Sequence, residues 1–208
     1  MWPPEAIEFL RDLEANNDRD WFKANRERYD VFLMEPAREL AAALADLGEP
    51  HFFRPYHDTR FHMRPPIKEQ LGLAIGYGSA GGYYVELSLD GLLVAGGLHH
   101  PASDQLARYR AAIDDGRRAA AFERALKVAT DAGLEPGPPE LKRAPRGYPL
   151  DHPRLDRLRM KELTVSRRRP VGAWLHKRSA YKRIREGLES ARPLVNWLGK
   201  HVGPATGG

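Results

Sequence analysis

The sequence predicts an α+β fold: an antiparallel β-meander sheet packed by helices, in a single domain. Three observations predict it. Apolar residues recur at helical spacing through residues 4–47, 106–132 and 184–198. Between the first two blocks, residues 71–98 switch to alternation, with a hairpin signal at Asp90-Gly91. The chain has 208 residues and no cysteine, the size of one large domain that buries a core without covalent staples. The domain is expected over 1–202, with 203–208 as a disordered tail.

The first helix opens with Pro3-Pro4 and carries Ala6, Phe9, Leu10 and Leu13 as its apolar stripe. Asn16-Asn17-Asp18 ends it and supplies the next N-cap. A second helix is expected over 19–34, with Phe22, Tyr29 and Leu33 on one side. Asp20 suits the dipole of its first turn. Pro36 can open a third helix, with Leu40, Leu44 and Leu47 as core face and Gly48 as its stop. Leu71, Leu73, Ile75 and Tyr77 then alternate as a strand does. Tyr83, Val85, Leu87 and Leu89 follow, with Glu86, Ser88 and Asp90 turned the other way. Residues 92–98 return. This reads as a three-stranded meander with one core face. Two helices are expected after Pro101, up to Gly133. Residues 135–150 read as a Pro/Gly-rich connection. A short helix follows Asp151-His152-Pro153, then a strand over 160–165. A last helix carries Ile184, Leu188, Val195 and Leu198, interrupted at Pro193.

Net charge is +5 and unevenly spread. Residues 1–140 hold 16 Lys/Arg against 23 Asp/Glu, and residues 141–208 hold 17 against 5. A basic final third points to a nucleic acid, an acidic partner, or a fold-back onto the acidic part. Arginine outnumbers lysine 25 to 8, as GC-rich coding also produces. No apolar run approaches the roughly 20 residues that cross a bilayer. No signal peptide is visible after Met1-Trp2-Pro3-Pro4. With cysteine absent, a cytoplasmic protein without membrane partner is the expectation.

Gly76-Tyr77-Gly78-Ser79-Ala80-Gly81 matches G-x-G-x-x-G, but a strand pattern follows it, not a helix. It reads as a hairpin turn, not a dinucleotide site. His51, His57, Asp58 and His62 form one imidazole–carboxylate group, and His99, His100 and Asp104 another. Neither has a recognised ligand spacing, so no metal and no cofactor is assigned. Asp58, Arg60 and His62 stand at i, i+2 and i+4. On an extended segment they share a face, joining an acid, a fixed cation and a titratable base. Arg19, Trp21, Arg26 and Tyr29 ride the second helix, as a stacking surface or as core with snorkelling arginines. Arg167, Arg168, Arg169, then His176, Lys177 and Arg178, then Lys182, Arg183 and Arg185 form three basic clusters. Trp174 and Tyr181 interleave with them. They suit phosphates or a solvated face. There is no G-x-S-x-G elbow and no Walker loop.

Four landmarks carry a family resemblance: Asn16-Asn17-x-Arg19-x-Trp21-Phe22-x-x-Asn25-Arg26-x-x-Tyr29; Asp58-Thr59-Arg60-Phe61 continuing to Pro66 and Lys68; Gly82-Tyr83-Tyr84 through Gly96-Gly97-Leu98 and Pro101; and Leu141-Lys142-Arg143-x-Pro145-Arg146-Gly147 with Asp151-His152-Pro153. Over residues 9–198 the chain resembles the bacterial domain-of-unknown-function family 2461. The resemblance implies a compact α+β fold and no assigned role. At the second landmark this sequence departs from the family pattern. His57 replaces an arginine, Met63-Arg64 with a one-residue deletion replaces K-D-K, and Ile67 replaces a tyrosine.

These observations lead to an anionic, phosphate- or carboxylate-bearing ligand bound near residues 58–68. Arg60 and Lys68 hold it, and Arg19 and Arg26 join from the second helix. Asp58 or His62 orients it or exchanges a proton, which leaves enzyme and binding module both open. The alternative is a nucleic-acid or acidic-protein interaction module built on Arg167, Arg168, Arg169, Lys177, Arg178, Lys182, Arg183 and Arg185.

Overall fold

A computed structural model describes residues 1–58, 64–78 and 80–206. In chain order the helices are α1 (Pro4–Ala15), α2 (Arg19–Ala24), α3 (Arg26–Tyr29), α4 (Glu35–Ala43), α5 (Ser103–Asp114), α6 (Gly116–Asp131), α7 (Leu155–Leu158) and α8 (Ser179–His201). The strands are β1 (Pro50–Phe52), β2 (Gln70–Ile75), β3 (Gly82–Ser88), β4 (Gly91–Leu98), β5 (Glu135–Pro136) and β6 (Leu163–Arg169). They form one sheet in the order β1-β2-β3-β4-β6-β5. The expected meander is its centre, and the fold is α+β. No helix among the described residues is long and apolar enough to cross a membrane.

The chain divides into two compact units. The first is Met1–Ile75, Tyr84–Val94 and Arg168–Arg185. Its core joins the helical stripes to β2: Phe9, Leu10, Leu13, Phe22, Leu33, Leu40, Leu73 and Ile75 are almost wholly buried. Phe22 lies edge-on to Tyr29, with centroids 5.2 Å apart, and Phe9 packs on both rings.

The expected helix over 19–34 is broken. Asp18 caps α2 by accepting from the N–H groups of Asp20 and Trp21. Asn25 leaves helical geometry, at φ −105° and ψ 15°. Residues Asp30–Met34 then form a π-turn. Proline at position 36 explains the widening: it has no N–H to donate to the carbonyl four residues back. The Trp2 indole N–H donates to Leu33 O in that turn, at 3.1 Å.

The second unit is Gly76–Tyr83, Ala95–Arg167 and Glu186–Gly208. Tyr109, Phe122 and Trp197 form its aromatic centre, with Phe122 and Trp197 4.9 Å apart. Leu126, Leu163, Val165, Leu194 and Leu198 complete the core. Pro193 does not interrupt α8, contrary to the spacing-based expectation. An interior proline costs about 3 kcal/mol; burial of Leu188, Ala191, Leu194 and Leu198 on one face offsets it. Residues 203–206, expected to be frayed, are tied to α5: Asp104 accepts from Thr206, and Arg108 donates to Pro204 O.

Two strand expectations change. The last long strand is not 160–165 but Leu163–Arg169, so Arg167, Arg168 and Arg169 lie on a strand. The meander does not have a single core face either. Glu86 and Ser88, on the side turned away from the expected core face, are only 8% and 7% exposed.

Candidate functional site

Beyond β1 and β2, two arms of chain continue the antiparallel pairing. Phe53 N–H donates to Gly72 O, His57 N–H to Pro66 O at 2.9 Å, and Lys68 N–H to Pro55 O at 2.7 Å. Tyr56 and Ile67 pair between them. The backbone on both sides of residues 59–63 is therefore extended, and Asp58 stands exposed at the end of one arm. Arg60 and His62 lie outside the described residues.

Asn17 docks this ladder. Its Oδ1 accepts from Ile67 N–H at 3.0 Å, and its Nδ2 donates to Ile67 O at 2.9 Å and to Glu69 at 2.7 Å. Ile67 is completely buried, which fixes the direction of Lys68 beside it.

Lys68 stands over the Phe53 ring, 5.8 Å from its centroid. Burial holds its ammonium below the ordinary lysine value, and the charge of Arg54 adds to that. Among the described residues it meets no carboxylate within ion-pair distance. The His57 imidazole is also pushed down, first by burial, then by Lys68 and Arg64, against a weaker pull from Glu69. Four basic groups thus share one neighbourhood, and an aromatic ring floors it.

Phe53 connects this positive end to the sheet. Its ring meets Tyr84 edge-on at 6.0 Å. Tyr84, Glu86 and Ser88 alternate along one face of β3. The Tyr84 hydroxyl donates to Glu86 Oε2 at 3.0 Å. Arg168 donates to Glu86 Oε1 at 2.8 Å and to Ser88 Oγ at 3.0 Å. Burial, then the Glu86 carboxylate, raises the Tyr84 phenol well above its ordinary value, so it stays a proton donor. Gly72 makes room: a Cβ there would come within 2.8 Å of the Tyr84 oxygen and 3.2 Å of Phe53.

The other expected contributors are dispersed. Arg26 is held bidentately by Asp30, at 2.9 and 3.1 Å, and lies over the Phe22 and Tyr29 rings. Its guanidinium is therefore committed within its own helix segment. Arg19 is exposed in the first turn of α2, two residues past the Asn17 clamp.

The basic third also resolves into separate roles. Arg168 is bound to Glu86, Arg167 donates to Ala132 O, and Arg185 pairs with Asp46 and Ala43 O. Arg183 lies 5.9 Å from the Trp174 centroid. Lys177 and Arg178 sit just before α8, Lys182 in its first turn, and Arg169 at the exposed end of β6. The solvated helix face that their spacing suggests therefore describes only part of them. Asp104 does not join His99 and His100; it pairs with Arg108 and Thr206.

Sequence reasoning missed Phe53, Tyr84, Glu86 and Arg168 as one face. The alternation 84, 86, 88 was readable. The pairing to Arg168, 82 residues away, follows only once β6 is seen to extend to Arg169.

The site so defined is a polar sheet face flanked by a positively charged, clamped hairpin arm. The chain belongs to the family described as Conserved hypothetical protein (DUF2461), whose model matches residues 5–197. No curated protein and no solved structure matches the chain.

Proposed function

We propose that this protein binds a small anion, phosphate- or carboxylate-bearing, at the Lys68 end of the sheet face. One observation carries the reading. A partly buried ammonium lies beside the like charge of Arg54, next to an imidazole that is held in its neutral form, and among the described residues it has no acid to compensate it. Such a group is stabilised by any anion that reaches it. Phe53 offers an apolar surface for the ligand's body, beside the ammonium that stands over its ring. Asp58, on the same arm as His57, is the acid that would orient a ligand hydroxyl.

Isothermal titration with inorganic phosphate and pyrophosphate at low ionic strength tests this, comparing wild type with Lys68→Met. Methionine keeps the stem on Phe53 and deletes the charge. A charge-assisted hydrogen bond contributes about 1.5–3 kcal/mol, so affinity should fall roughly 10- to 100-fold. Equal binding by a folded Lys68→Met protein, or no saturable binding by wild type, contradicts the proposal.

A further inference from the structure

A second constellation lies in the other compact unit, where the strand β4 ends. His99 and His100 follow it directly, and Glu162 precedes β6. His99 Nδ1 is 2.8 Å from Glu162 Oε2, and His100 Nδ1 is 2.7 Å from Oε1. The two imidazoles stack with centroids 3.7 Å apart and planes tilted by 32°. One carboxylate thus bridges two imidazole nitrogens, and one donor atom from each residue lies within 4.8 Å of the others.

The surroundings hold this arrangement in place. The His99 N–H donates to the Tyr77 hydroxyl at 2.7 Å, and that hydroxyl lies 3.2 Å from His99 O. The His100 N–H donates to Glu162 Oε2 at 2.9 Å. Glu140 accepts from the N–H groups of Lys161 and Glu162, at 2.7 and 2.8 Å, which fixes the backbone carrying Glu162. It also adds a second negative charge nearby. His100 has φ 51°, the one positive φ outside glycine among the described residues. Backbone in that region is disfavoured for a residue with a Cβ, and it recurs where a side chain must be aimed.

We propose that His99, His100 and Glu162 form a binding site for a divalent transition metal of zinc's class. Two imidazoles and one carboxylate are a donor set for such ions, and three protein ligands leave a coordination position open to water or substrate. Donors around a tetrahedral zinc stand about 3.4 Å apart, between the 2.7 and 2.8 Å of the two imidazole–carboxylate contacts and the 4.8 Å that bounds the set, so side-chain adjustment alone can admit the ion. Each imidazole then coordinates through Nδ1 and keeps its proton on Nε2. Tyr77 and Glu140 serve as positioning residues. Both histidines are well exposed, at 61% and 78% of their side chains, so the ion enters from solvent.

The test uses the full chain stripped with a chelator and titrated with zinc alone, read by competition with a chromophoric chelator and by thermal unfolding. Wild type should take up one equivalent and unfold at a higher temperature with zinc. Glu162→Gln and His99→Ala should bind at least ~10-fold more weakly. His100→Gly should do the same while folding at least as well without metal, because glycine accepts that φ. His51→Ala, an exposed histidine in the other unit, should bind zinc as wild type does. Absence of uptake by folded wild type at micromolar zinc overturns the proposal. Retained affinity in folded Glu162→Gln and His100→Gly, or an equal loss in His51→Ala, also overturns it.

Discussion

Asn17 and Ile67 are joined through both sides of one amide: Asn17 Oδ1 takes the Ile67 N–H, and Asn17 Nδ2 gives to the Ile67 carbonyl. A side chain here stands in for a neighbouring strand, so the ladder arm is satisfied by the link before α2. Asn17→Ala leaves both backbone groups of a buried residue without their partner. We expect a loss of about 1–3 kcal/mol, seen as a lower urea midpoint. Asn17→Asp keeps the acceptor but sets a carboxylate against Ile67 O and the Glu69 carboxylate, and should cost at least as much as Asn17→Ala. An unchanged midpoint in Asn17→Ala would mean the arm is held by other contacts.

Glu86 and Arg168 should show strong coupling. Arg168→Leu leaves a carboxylate that is 8% exposed with Tyr84 as its remaining donor on that side. The cost should be about 2–3 kcal/mol, the lower part of the range for breaking a buried pair, because the Arg168 side chain is itself 35% exposed. Glu86→Leu/Arg168→Leu removes both charges and should be more stable than Arg168→Leu alone. Additive effects in the cycle, measured by equilibrium unfolding, would contradict the pairing.

Two glycines separate the candidate site from the framework. Gly97 has φ 131°, and a Cβ there would meet Leu163 O at 2.2 Å. Gly97→Ala should cost more than about 2 kcal/mol, because backbone must move. Gly72→Ala meets only the ends of the Tyr84 and Phe53 side chains. It should cost less, about 1–2 kcal/mol, and displace the phenol from Glu86. Tyrosine fluorescence and unfolding midpoints distinguish the two outcomes.

Acid should weaken the fold partly through His57 and His201. Burial lowers both imidazoles below the ordinary value of 6.5, helped by Lys68 and Arg64 at His57 and by Lys200 and Arg118 at His201. A depressed folded pKa means the unfolded chain takes up the proton first. The contribution is therefore complete above pH 6.5 and is lost as pH falls through the folded value. His57→Gln should show a shallower fall in urea midpoint between about pH 7 and pH 5 than wild type. Parallel profiles would remove His57 from the account.

Helical stripes, the meander and the caps were legible because each is a local period or a local hydrogen bond. The stripe Ala6, Phe9, Leu10, Leu13 is buried as its spacing requires, and Asp18 caps α2. Pro36 was read as a helix start, while the π-turn before it needed knowledge of the missing N–H and of the Trp2 indole. Lys68 was legible as a candidate by its position in the second landmark. For Arg26, the pairing with Asp30 four residues on is a helix contact that spacing alone also allows. Glu86 with Arg168, and Glu162 with His99 and His100, were not legible. Each depends on which strands become neighbours, and residues 62 or more positions apart carry no local signal of that.

The most direct test of the anion site is an NMR titration of the His57 imidazole at low ionic strength, with and without saturating inorganic phosphate. Without phosphate the midpoint should lie below 6.5. With phosphate it should move upward, because an anion at Lys68 stabilises the imidazolium, and Lys68→Met should abolish the movement. A His57 midpoint that ignores phosphate in the folded wild-type protein would contradict the account.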